Sequence, residues 1–351
     1  MRRIVLTLTV ASLLIAGAPL RAQELSFTFF GDYLESLRRQ AGIPGLTAII
    51  AGPDGVVWTR ALGNANVERA VAARTDTPFH LDGITQVITA ALVLRCVEEG
   101  RLSLADRAGQ YDPASPDAGA TLGQLLTHTT TGAGGRTFEY RPERLQPLAA
   151  AVAACTGGSF RAAVAALFDR LAMADSVPGV EAARTDLADP AIPTSDRQRY
   201  RNVLDRLASP YAVDRAGRAT PAAHPSTALS AWNGVVSSAD DLAKLDLALK
   251  RGVLLEPGTL ASAWQPPLGP GGQPLPHGAG WFVQGYNGAR VAWQFGMAEN
   301  ASSTLIATIL PRGLTLILLA NSDGLAKSFA LADGDLTASP FGKVFLATFV
   351  R

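Results

Sequence analysis

Short apolar, β-branched runs lie at both ends of this chain, and segments of helical period fill the middle. That division constrains the fold more than any other feature. Near the start, Leu46 to Ala51 and Val56 to Leu62 flank the turn Gly52-Pro-Asp-Gly55, as two strands of a hairpin do. Near the end, Gly280 to Tyr286, Ala289 to Gln294, Ser302 to Leu310 and Leu314 to Asn321 read as successive strands. Between them, Ile84, Val87, Ile88, Ala91, Leu92 and Cys96 recur at three- and four-residue steps up to Gly100, which predicts a buried helix over 84–99. Further helices are expected at Leu34 to Gln40, Leu122 to Leu126, Leu145 to Ala154, Phe160 to Met173, Arg197 to Leu207, Ala239 to Lys250 and Pro340 to Val350. The fold class is therefore α/β of the α+β kind. It is an antiparallel sheet lobe (about 23–80 with 265–351) flanked by helices, interrupted by an inserted all-α lobe (about 81–264), with a cleft at the junction.

Composition narrows the function. The chain is 48% hydrophobic and 17% charged, too apolar for a disordered protein. With 31 basic against 30 acidic side chains it has no field of the size that nucleic acid binding needs. Residues 1–22 read as a signal peptide: Arg2 and Arg3, then the apolar run Ile4 to Ala18, then Leu20-Arg21-Ala22 as the cleavage site. Export to the periplasm or outside the cell is expected, with no membrane span left after cleavage. The four histidines are scattered without metal-ligand spacing, so neither a metal nor another cofactor is expected. Cys96 and Cys155 are the two cysteines, and the sequence leaves open whether they bond or stay as buried thiols.

Six segments in register resemble the serine β-lactamase and penicillin-binding-protein superfamily, in its class C β-lactamase, DD-peptidase and family VIII esterase branch. They are Ile43-Pro-Gly-Leu46, Thr77-Pro-Phe79, Glu98-Glu-Gly-Arg-Leu-Ser-Leu-Ala-Asp106, Leu125-Leu-Thr-His-Thr129, Trp232-Asn-Gly-Val-Val-Ser-Ser-Ala-Asp-Asp241 and Leu318-Leu-Ala-Asn321. The resemblance implies that family's fold over roughly 42–350. It also implies acyl-transfer chemistry on a Ser-x-x-Lys pair, whose lysine takes the serine's proton across one helix face.

This chain reads Gly83-Ile-Thr-Gln86 where that pair belongs. Glycine has nothing to acylate, and an amide is not a base. The family's Tyr-x-Asn element corresponds to Tyr140-Arg-Pro142, with the amide lost, and its His-x-Gly element to Gln294-Phe-Gly296, with the imidazole lost. No Ser-x-x-Lys and no Gly-x-Ser-x-Gly occurs in the mature region.

No residue is therefore assigned a catalytic role, and Gly83, Gln86, Tyr140, Pro142, Gln294 and Gly296 mark a relic cleft. His128 is read as structural. Thr85 faces about 200° away from position 83 on a helix, which removes it as a substitute nucleophile. His80 and Asp82 read as caps or surface groups, and Trp281, Tyr286, Trp293 and Phe295 as strand filling, with Trp293 or Phe295 as a cleft wall. The expected function is a secreted, catalytically inactive homologue that binds a cell-wall-like or peptide ligand or a protein partner. The alternatives are an esterase-, amidase- or peptidase-type hydrolase with an unconventional nucleophile, and a structural exported protein.

Overall fold

A computed structural model describes residues 24–132, 135–184, 189, 192–225 and 228–350. The signal-like segment lies outside the described residues.

The two ends of the chain close into one seven-stranded antiparallel sheet. From the start come β1 (Gly45–Ala51), β2 (Val56–Asn66) and β3 (Val71–Ala72). From the end come β10 (Phe282–Tyr286), β11 (Ala289–Ala298), β12 (Ser302–Ile309) and β13 (Leu314–Ala320), in the order β10-β11-β12-β13-β1-β2-β3. The seam pairs β1 with β13 from Leu46 opposite Ala320 to Ala51 opposite Thr315. Side chains alternate across it. Ala48, Ile50, Leu316 and Leu318 enter one core, and Ile49, Ile317 and Leu319 enter another. Both faces are covered, which is why these strands read as unbroken apolar runs.

The first core is shared with α1 (residues 24–40) and α9 (Pro340–Phe349). The helix α1 is already present at Glu24, ten residues before the expected Leu34. Its early turns look strand-like in sequence because they are rich in Phe and Thr, but Phe30 is buried edge-on against Trp58, Phe345 and Phe349. Tertiary packing overrides local propensity there.

The second core joins the sheet to α2 (Thr85–Glu98), α4 (Gln146–Thr156), α5 (Phe160–Arg170) and α7 (Ala239–Lys250). The inserted segment also contains α3 (Leu122–Leu126), α6 (Thr194–Leu204) and α8 (Pro257–Ala263). Among the described residues, two-stranded ribbons also form within it or at its start: β4 (Phe79–His80) with β9 (Val236–Ser237), β5 (Thr129–Gly132) with β6 (Gly135–Phe138), and β7 (Tyr211–Val213) with β8 (Ala219–Pro221). Among the described residues no single helix is long and apolar enough to cross a membrane.

Cys96 on α2 and Cys155 on α4 are joined in a disulfide, which resolves the choice the sequence left open. The bond closes a loop of sequence separation 59, worth about 4 kcal/mol in the chain-entropy picture. Replacing both cysteines by serine is expected to lower unfolding stability by about 2–4 kcal/mol, read as the urea midpoint. An unchanged midpoint would show that the bond adds nothing to the packing of α2 on α4.

Candidate functional site

The site forms where the start of α2 meets the end of β11. A single 3-10 turn, Asp82–Ile84, leads into α2, and Asp82 has a left-handed backbone with φ 48°. The Thr304 hydroxyl donates to the Leu81 carbonyl at 2.8 Å, and the Ser302 hydroxyl donates to Asp82 Oδ2 at 2.7 Å. Asp82 Oδ1 lies 2.9 Å from His224 Nε2. The turn is thus pinned onto β12 across the end of β11.

Gly83 and Gly296 make this closeness possible. A Cβ added to Gly83 would fall well inside 3.0 Å of the Phe295 carbonyl oxygen, a separation Cβ atoms essentially never show. The Gly296 Cα would be 3.2 Å away and Gln86 Nε2 3.4 Å. A Cβ on Gly296 would in turn lie 2.6 Å from the Gly83 nitrogen. The backbone has closed over the place where a nucleophile's side chain would start.

Beneath that contact runs a directed chain of neutral hydrogen bonds. The Arg141 N–H donates to His128 Nδ1 at 3.2 Å, so a neutral His128 carries its proton on Nε2, which donates to Gln86 Oε1 at 2.9 Å. Gln86 Nε2 donates to the Tyr140 hydroxyl at 2.8 Å, and that hydroxyl donates to Gln294 Oε1 at 3.3 Å. Gln294 Nε2 faces His277 Nε2 at 3.3 Å, while His277 Nδ1 donates to the Gly278 carbonyl at 2.6 Å.

Gln86, His128, His277 and Gln294 are buried. Burial holds His277 down at about 3 and His128 well below the ordinary imidazole value, and it raises the Tyr140 phenol. Both imidazole lone pairs are occupied, His128's by a backbone N–H and His277's by an amide. Neither imidazole is therefore a ready base near neutral pH.

Above it, a pocket of about 330 Å³ remains. Gly83, Tyr140, Pro142 and Gly296 line it, with Trp232, Phe295, Met297 and Phe329 as its apolar walls. Gln86 and Gln294 lie below, in the hydrogen-bonded chain. Among the described lining residues there is no serine, threonine or cysteine, and the Tyr140 phenol is the hydroxyl present. Lys327 lines the pocket as well, but its amine donates to Asn300 Oδ1 at 2.8 Å and pairs with Asp323 at 3.0 Å. The hydrogen bond it donates to Asp323 raises its pKa, which keeps it an ammonium rather than a base.

The other candidates fall elsewhere. Thr85 is buried, with its hydroxyl accepting the Val235 N–H at 3.4 Å. His128 sits in the chain, supporting Gln86. Trp293 is fully buried, and of the aromatic pair considered for a cleft wall Phe295 lines the pocket.

His80 and Asp82 are not caps or surface groups, being 6% and 2% exposed. Asp82 bonds to His224, and His80 stacks on the same ring at 3.8 Å between centroids. Sequence reasoning missed His224, Ser302 and His277. Asp82 meets the first two across 142 and 220 residues, and no local pattern marks such partners. Among the described residues no group of three His, Cys, Asp or Glu side chains is placed to hold a metal.

Fold and site together describe a β-lactamase-type scaffold. The chain belongs to the β-lactamase family, whose model matches residues 30–337. It is similar to penicillin-binding protein 4 of Amycolatopsis lactamdurans, with 32% identity over 114 residues, 31% of this chain and 30% of that protein. It is similar to esterase EstB of Burkholderia gladioli, with 32% identity over 130 residues, 35% and 33% of the two chains. Each match spans about a third of the relative's own length. The octameric penicillin-binding protein homologue from Pyrococcus abyssi superposes with a TM-score of 0.72 over 92% of this chain and 77% of that one; at 18% identity this shows the fold alone.

Proposed function

We propose that this protein is an exported, catalytically inert member of the family that binds a ligand in the relic pocket. The observation that carries the proposal is the seating of Gly83 against the Phe295 carbonyl beneath a pocket that stays open. Acyl transfer needs a nucleophile within reach of a base. Here the serine position has no room for a side chain, the groups beneath it are neutral and mutually bonded, and the two charged lining residues, Asp82 and Lys327, are each held by partners of their own. The Cys96–Cys155 bond suits an oxidising compartment and supports export.

The ligand is of peptide or cell-wall type. Aromatic walls suit an apolar side chain. Beyond Trp293, β11 has β12 as its strand partner, since its register with β10 covers Ala289 to Trp293, while the 82–84 turn packs on Phe295 and Gly296. That leaves the segment around Met297 as an edge for an extended peptide.

Calorimetric titration with a muramyl pentapeptide tests the binding. Saturable binding weakened about ten-fold by filling the pocket with Ala330→Trp is expected. Binding that ignores this variant, or none, would move the function off the pocket and onto the protein's surface.

A further inference from the structure

A second pocket, of about 370 Å³, lies on the far side of α2, where α2, α4 and α5 meet. Its floor is apolar: Leu92, Ala163, Leu167 and Leu254, with Cys96 of the disulfide. Its rim is cationic: Arg95, Arg101 and Arg170 stand around it against a single carboxylate, Glu99.

The rim is held in place. The Arg101 guanidinium donates to the Cys155 carbonyl at 3.1 Å and approaches Glu99 at 3.5 Å. Arg95 pairs with Glu99 at 3.1 Å, and Arg170 donates to the Val253 carbonyl at 2.9 Å. A guanidinium has five N–H donors, so each arginine keeps most of its donors for something else. The disulfide ties α2 to α4 and fixes the wall that carries Arg101. The volume falls in the range of small-molecule sites, about 300–1,000 Å³.

We propose that this is a separate binding site for an amphipathic monocarboxylate, a hydrocarbon chain with one anionic head. Charge complementarity selects the occupant. Three guanidiniums against one carboxylate favour an anion, which arginine holds in a two-pronged grip. Apart from the rim, the one hydroxyl in the lining, Thr156, already donates to the Val152 carbonyl, so the floor offers little to a sugar or a peptide backbone. A neutral molecule of the same shape gains the floor and forfeits the rim.

The probe is sodium decanoate, compared with decanol, in calorimetric titrations of the disulfide-intact protein. Decanoate is expected to bind saturably, at least about ten-fold more tightly than decanol, and more weakly as salt is raised. Two variants on the outer surface localise it. Ala166→Trp fills the pocket from an exposed position on α5, and Arg101→Gln with Arg170→Gln removes two of the three charges. Each is expected to weaken decanoate about ten-fold or more, while Ala330→Trp in the relic pocket leaves it unchanged. No saturable binding below the self-association of decanoate, or binding that survives both variants, would overturn the proposal. Neither result bears on the relic pocket.

Discussion

Restoring the family's pair through Gly83→Ser and Gln86→Lys is expected to leave the protein unacylated by penicillin and to lower its stability by more than about 3 kcal/mol. Any side chain at 83 must push its Cβ against the Phe295 carbonyl and the Gly296 backbone, and neither is the movable end of a flexible group. Relieving the clash means lifting the 82–84 turn off β11, against the bonds from Ser302 and Thr304 that hold it. An ammonium in place of the Gln86 amide is worse placed still. It would be buried, would meet the His128 Nε2–H donor to donor, and would find no carboxylate in the chain. Gly83→Ala alone separates the steric part and is expected to cost about 1–3 kcal/mol. A double variant of unchanged urea midpoint that labels with penicillin would show that the turn yields freely.

Acid is expected to destabilise the protein steeply from about pH 6.5 downward, well above the range in which ordinary carboxylates titrate. Burial holds His277 at about 3 and His80 at about 4, the latter also lowered by the neighbouring His224, and it keeps His128 well below 6.5. In the unfolded chain all three return to about 6.5. A histidine whose folded pKa is depressed stays neutral in the fold while its unfolded counterpart takes up a proton. Stability is therefore complete above pH 6.5 and is lost as pH falls toward the folded values. Each such histidine contributes a slope of about 1.4 kcal/mol per pH unit. Asp241 and Asp246, whose carboxyls burial pushes up, act in the opposite sense, so a histidine variant isolates the effect. In urea unfolding between pH 7.5 and 5, His277→Gln is expected to flatten the slope by about one proton. A slope left unchanged by His277→Gln would mean that this imidazole is charged in the fold, and the direction of the hydrogen-bonded chain would be wrong.

Much of this architecture was legible in the sequence because it follows from period and punctuation. The β1–β13 seam is written in two apolar runs, and the bounds of α3 and α7 coincide with those expected. Several boundaries differ: α6 lies three residues earlier than expected, α5 ends three residues sooner, β2 runs on to Asn66, and the shifts in α1 and β11 have a clear physical reason. The start of α1 is helical only because Phe30 finds Trp58 and the phenylalanines of α9. The strand β11 runs four residues past Gln294 because β12 continues to pair with it as far as Ala298.

The site was legible as a list of losses and illegible as an object. Gly83 and Gln86 announce that the serine and the lysine are missing. That the backbone has closed over the gap depends on Phe295 and Gly296, at the other end of the chain. The partners of Asp82 and the tautomers of His128 and His277 are likewise set by contacts that only the folded chain creates.

The most direct test of inertness is the intact mass of the purified, unmodified protein after prolonged incubation with a penicillin, an activated ester and a fluorophosphonate. The unlabelled mass is the expected result for all three, since the pocket presents no nucleophile within reach of a base. A stoichiometric adduct with any of them, mapped to a residue lining the relic pocket, would contradict it and would place a working hydrolase where this geometry has none.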